Sequence, residues 1–182
     1  MNMLRLVAIG TAVLLVGGCA ASDIVNPTAA VPAEQAQSPA VAPTAARPVA
    51  TSGSFVALVD FSTITLTPRG NSCVLQVKGR LVFSGTIEGP AIGQTTALVF
   101  APCADVATTA PGTYPDIFAS DLAFDGTIGG VPARADVIYT GHSEPGGHIS
   151  AHLIFSRGVA GVLDVDAQLA VGGTYRGSLV VR

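Results

Sequence analysis

Three histidines, His142, His148 and His152, fall within eleven residues of one another. They are the first place where this chain could do chemistry. Clustered imidazoles suggest zinc, which takes His nitrogens at about 2.0–2.1 Å. The spacing argues against it. His148 and His152 are four residues apart, about 13 Å along a strand at roughly 3.4 Å per residue. One ion cannot reach both. Even if His142 and His148 face each other across the five-residue turn, they supply two ligands at most. The expectation is a solvated pair and no metal. Asp164 and Asp166 share one strand face at about 7 Å, within the range that paired catalytic carboxylates use. No motif flanks either, so solvation is again the expected role. The chain has no Gly-x-Ser-x-Gly, no phosphate loop and no dinucleotide fingerprint. No cofactor is implied.

The cysteines say more. There are three, Cys19, Cys73 and Cys103. Before Cys19 stand a basic Arg5 and an apolar run from Leu6 to Val16, too short for a transmembrane helix of about 20 residues. The run ends Val16-Gly17-Gly18-Cys19. This resembles the bacterial lipobox, an aliphatic residue and two small ones before a Cys that carries diacylglycerol. The resemblance implies a signal peptide over 1–18, lipidation at Cys19 and an exported protein lipid-anchored to the cell envelope. The competing readings are ordinary cleavage after Ala20 or Ala21, and an uncleaved anchor. Ala20 stands where lipoproteins retained at an inner membrane carry Asp, so in a cell with two membranes the expected address is the outer one. With Cys19 spent, Cys73 and Cys103 remain in an oxidising compartment, where paired cysteines form disulfides. The bridge would close a loop of about 30 residues and contribute roughly 3–4 kcal/mol in the chain-entropy description. The alternative is two buried thiols.

Composition separates the elements that must hold these residues. The 182-residue chain is 49% hydrophobic and 12% charged, with a formal net charge of -3. A weakly acidic chain presents no basic surface, so nucleic acid is not an expected partner. Residues 20–53 hold eleven Ala and five Pro and no aromatic residue. Such a stretch cannot bury enough surface to offset chain entropy, so 19–53 reads as the lipidated Cys and a disordered tether. All ten aromatic residues lie from Phe55 to Tyr175, and the domain is expected over 54–182.

Within that domain apolar and polar residues alternate. Cys73, Leu75, Val77, Leu81, Phe83 and Ile87 share one face of a long strand expected over 73–88, and Gln76, Lys78, Arg80, Ser84 and Thr86 share the other. Leu81–Gly89 recurs as Leu122–Gly130 with six of nine positions identical. A Gly129-Gly130 turn would set Leu122 against Val137, Phe124 against Ala135, Ser120 against Tyr139 and Asp125 against Arg134. A slip of one residue would break both faces. A second turn is expected at Ser143–Gly147 and another at Gly172-Gly173. About eight strands joined by short turns indicate an all-β fold, an eight-stranded antiparallel up-and-down barrel, because closure removes the edges. A β-sandwich is the alternative.

The series Phe83-x-Gly85-x-Ile87-x-Gly89, then Phe124-x-Gly126-Thr127-Ile128-Gly129-Gly130, with Gly158-Val159-Ala160-Gly161-Val162 ahead of two closing strands, resembles the allene-oxide-cyclase-like barrels, which include bacterial members of unknown function. The resemblance implies the fold over most of 72–182. It transfers no catalytic residue, since the acidic and polar pocket residues of the plant cyclases match no positions here. A barrel of this size either fills with side chains or holds one small ligand. Phe83, Phe124, Ser120 and Tyr139 are the candidate pocket residues. The function expected is a membrane-anchored barrel that binds a hydrophobic ligand or an envelope partner protein, with a cyclase- or isomerase-type pocket enzyme as the alternative.

Overall fold

The computed structural model describes residues 48–182. The expected signal peptide, Cys19 and the tether up to residue 47 lie outside the described residues. Eight strands follow in order: β1 (Pro48–Arg69), β2 (Ser72–Gly85), β3 (Ile87–Val99), β4 (Asp116–Ile128), β5 (Val131–Ser143), β6 (His148–Ser156), β7 (Val159–Gln168) and β8 (Gly172–Val181). A short helix, α1 (Cys103–Val106), stands between β3 and β4. Each strand pairs antiparallel with the next, and β8 returns to β1. The fold is a closed up-and-down barrel, as the alternation indicates; no sheet edge is left to recruit another chain.

The period-2 pattern sets the two faces. Along β6, Ile149, Ala151, Leu153 and Phe155 are buried, while His148, Ser150, His152, Ile154 and Ser156 face out. Charged side chains including Lys78, Arg80, Asp125, Arg134 and Asp164 occupy outward positions. The inward face is apolar; the outward face mixes these charged groups with exposed Val56, Leu58, Ile92, Ile117, Ile138, Ile154 and Val162. The β4–β5 register is the one expected, with Leu122 opposite Val137, Phe124 opposite Ala135, Ser120 opposite Tyr139 and Asp125 opposite Arg134. Gly129 and Gly130 make its turn with φ of 59° and 79°, the left-handed pair that a tight hairpin requires. Outside the barrel the Asp125 carboxylate accepts a hydrogen bond of 3.0 Å from Arg134.

Three boundaries differ from the sequence reading. β1 begins at Pro48, ahead of the domain start expected at Ser54. Residues 48–53, Ala- and Pro-bearing as they are, pair with β8 and close the barrel. The strand expected over 73–88 breaks at Thr86, where Gly85 adopts φ 112°, so Ile87 opens β3. The turn expected at Gly172-Gly173 falls instead at Leu169–Val171, with Ala170 at φ 56°. Both glycines belong to β8. A side chain on Gly172 would run into the Phe55 backbone, and one on Gly173 into Ala167. Close approach of strands, not turn geometry, demands them.

The two ends of the barrel are unlike. One end carries Pro48, the Thr86 and Gly129-Gly130 turns, and Arg182. It is filled: Ile87, Ile128, Val159 and Leu179 are essentially inaccessible. Above them Phe83 packs edge-on against Phe124 at 6.1 Å and Tyr175 at 5.6 Å, and Phe124 against Phe155 at 6.1 Å. The Tyr175 hydroxyl knits this end together. It accepts from the Ile87 amide at 3.0 Å and lies 3.1 Å from the Ser84 carbonyl, to which it donates.

Candidate functional site

The other end is hollow. A cavity of about 420 Å³ opens there, within the ~300–1,000 Å³ typical of small-molecule sites. The alternation that fills the far end leaves space here because the inward residues become small. Ala57, Thr95, Ala97, Ser120 and Ala167 line the wall, with Phe55, Leu66, Leu75, Val77, Phe118, Leu122 and Ile149 between them.

A lid covers part of the mouth. Cys73, at the start of β2, is fully buried and joined to Cys103 at the head of α1, with Cα atoms 4.8 Å apart. The expected disulfide is therefore present. It holds α1 and the loop up to Tyr114 over the opening, so that Val106, Pro111 and Tyr114 line the cavity. Two backbone bonds fasten the same loop: the Gly146 amide to the Gly112 carbonyl at 2.9 Å, and the Phe100 amide to the Pro115 carbonyl at 3.1 Å. On the opposite side β1 bulges between Asp60 and Thr65. Asp60 steadies the bulge by accepting from the Ser62 amide at 3.1 Å and its hydroxyl at 2.6 Å. Bulges re-aim side chains at barrel rims, and this one brings Phe61 and Ile64 to the cavity.

Few polar groups interrupt the apolar wall. The Thr95 and Ser120 hydroxyls bond each other at 2.7 Å. Tyr139 stands opposite Ser120 and is wedged between Phe118 and Phe55, with ring centroids 5.0 and 5.9 Å away. Its residue is 7% exposed, and its buried hydroxyl has no hydrogen-bond partner. Burial pushes this phenol well above the ordinary tyrosine range. Asp116 lines the mouth. Burial raises its carboxyl pKa, against opposing pulls from Ser143 and His142.

Of the four candidate pocket residues, Ser120 and Tyr139 do line the cavity. Phe83 and Phe124 do not, and the sequence reading is corrected there. Both point inward, but nearer the filled end, where their rings pack into the core beneath the cavity. Alternation assigns a face; it does not assign a height along the barrel. The lid residues and Asp116 were not singled out in the sequence. The Cys73–Cys103 spacing was the one signal that segment 104–115 is pinned, and it does not say over what.

The histidines do not converge. His142 pairs with Ser150 and does not face His148 across the turn. His148 lies 3.4 Å from the Asp166 carboxylate and His152 3.2 Å from that of Asp164. Both pairs sit on the exposed outer face of β6 and β7. Among the described residues no group of three or more His, Cys, Asp or Glu side chains is placed to hold a metal ion.

Fold and cavity together define a class: an eight-stranded up-and-down barrel, filled at one end and hollow at the other under a disulfide-held lid. No protein-family model matches the chain, and no curated protein is similar to it in sequence. Among solved structures it is similar to a crystal structure of a protein with unknown function from the DUF3224 family of Shewanella oneidensis MR-1. The two are 13% identical with a TM-score of 0.48, over 75% of this chain and 98% of that one.

Proposed function

We propose that this protein is an exported lipoprotein, anchored to the cell envelope through Cys19, whose barrel holds one small hydrophobic molecule. The observation that carries the binding reading is the cavity of about 420 Å³ with its nearly all-apolar wall. Burying apolar surface there is favourable at about 25 cal/mol per Å², and a preformed barrel wall loses little freedom on binding. The anchor reading is supported by Val16-Gly17-Gly18-Cys19 and the apolar run before it.

The competing reading, a cyclase or isomerase working in the pocket, requires an acid and a base at one reacting atom. Asp116 and Ser120, which faces Tyr139, stand four positions apart on β4, about 13 Å along the strand. Asp116 thus stands apart from the Thr95, Ser120 and Tyr139 hydroxyls, so no acid–base pair meets at one point, which favours binding over chemistry.

Native mass spectrometry of the purified chain tests the binding reading. A retained apolar adduct is expected, and Ala97→Phe, which fills the cavity, should lose it. An adduct unchanged by Ala97→Phe would refute the site. For the anchor, Cys19→Ser should lose both the diacylglycerol mass and partitioning into detergent; a variant that keeps them would sink that reading.

A further inference from the structure

One carboxylate stands on the inner wall of the barrel. Asp116 opens β4 at an inward position, in line with Phe118, Ser120 and Leu122, and lines the mouth of the cavity. No ion pair among the described residues includes it. The group is half-buried, and a carboxylate withdrawn from water without a cation is costly. Its neighbours on β5 do not neutralise it: Ser143, directly opposite, offers only a hydroxyl, and His142 is exposed on the outer face. Deeper in the barrel the polar groups are closed off. The Thr95 and Ser120 hydroxyls bond each other, and Phe55 and Phe118 clamp the ring of Tyr139 with its hydroxyl sealed from the void. Around the mouth, α1 carries Asp105, the β5–β6 turn Glu144 and the end of β1 Arg69, so with Asp116 the fixed charge there is acidic.

We propose that the ligand is a hydrophobic amine, whose ammonium group pairs with the Asp116 carboxylate at the mouth while its apolar body lies in the barrel. The proposal rests on the ligand-binding reading above and names the chemistry of that ligand. An ammonium donates charge-assisted hydrogen bonds to a carboxylate and supplies the cation that Asp116 lacks. Tyr114 of the lid lines the same mouth, and aromatic rings attract ammonium groups. The cations that border the cavity do not take this role. Lys78 and Arg80 are exposed at outward positions of β2. Lys78 is in register with Gln94 and, through it, with Asp121, five positions from Asp116 and about 17 Å along the strand. Arg80 lies two positions further. A fatty-acid anion would set its carboxylate against that of Asp116, with no cation at hand to pair it. Size follows from volume. At about 30 Å³ per water-sized group, 420 Å³ takes on the order of 14 non-hydrogen atoms.

Displacement of the neutral dye Nile red from the full chain at pH 7.5 tests this, with decylamine, 1-decanol and decanoate as competitors of equal chain length. Decylamine is protonated at that pH, as alkylammonium groups titrate near 10. It should displace the dye at concentrations about tenfold below 1-decanol, the lower end of what a hydrogen bond to a charged group supplies, and decanoate should be the weakest of the three. Asp116→Asn should remove the preference for amine over alcohol, and Asp116→Glu, which keeps the charge, should retain it. The ratio of amine to alcohol is the readout, so a general loss of dye affinity in a variant cancels. Ala97→Phe should abolish dye and amine binding together. Decylamine competing no better than 1-decanol would overturn the proposal while leaving the binding site intact. So would an amine preference that is unchanged in Asp116→Asn. Dye binding that survives Ala97→Phe, or no dye binding by the wild type, would overturn the ligand-binding reading and the proposal with it.

Discussion

Removing one oxygen atom from either of two tyrosines should shift stability in opposite directions. Tyr139 and Tyr175 are both buried, 7% and 2% exposed, and both rings sit in the aromatic core. Tyr139 has an unpartnered hydroxyl. Tyr139→Phe therefore removes a desolvation cost of about 1–3 kcal/mol and leaves packing intact, so the variant should gain about 1 kcal/mol or more. Tyr175→Phe removes the acceptor of the Ile87 amide and the donor to Ser84. It strands a buried N–H and should cost about 1–3 kcal/mol. For a domain of this size 1 kcal/mol corresponds to roughly 3–5 °C in Tm. Thermal and urea unfolding of the ligand-free chain would measure both. Loss of stability in Tyr139→Phe, at unchanged m-value, would refute the reasoning, because it would mean that the hydroxyl has a partner in the ligand-free barrel. The alkaline limb supplies a second reading of the same group. Burial holds the Tyr139 phenol above its ordinary value of 10.0, so above that pH the native state binds more protons than the unfolded chain. Stability then falls as pH rises, and Tyr139→Phe should fall less steeply.

Three further predictions follow from the mouth and the outer face. Burial raises the Asp116 carboxyl above its ordinary 3.8, so ionisation in the unfolded chain favours unfolding as pH climbs from 3.8 through the folded value. Asp116→Asn should be more stable than wild type at pH 7 and lose that advantage near pH 3; an advantage equal at both pH values would contradict it. Reducing Cys73–Cys103 should cost about 3–4 kcal/mol, from the 30-residue separation, and should raise hydrogen exchange in the lid before the filled end; uniform exchange would count against a pinned lid. The Asp125–Arg134 pair, with side chains 67% and 85% exposed, should give a coupling of about 0–1 kcal/mol in a double-mutant cycle and weaken in high salt. A larger, salt-independent coupling would contradict its placement in solvent.

The sequence alone determined the faces and the local pairing. Ser120 could be set opposite Tyr139, and Asp125 opposite Arg134, because a two-residue glycine turn and a period of two leave one register that keeps both faces consistent. The disulfide was legible because only two cysteines remain after Cys19, and they stand at the near ends of adjacent strands. Height along the barrel was not legible. Phe83 and Ser120 both read as inward, yet one packs among the rings toward the filled end and the other lines the void. That division depends on which inward residues meet across the interior, a contact between strands far apart in sequence. Nor could residues 48–53 be told from the tether. Their composition is that of a linker, and only pairing with β8, the last strand made, gives their backbone groups partners and the barrel its closure. The free hydroxyl of Tyr139 belongs to the tertiary structure for the same reason. A sequence shows that a tyrosine carries a donor, but whether that donor is satisfied is decided by every element that closes around it.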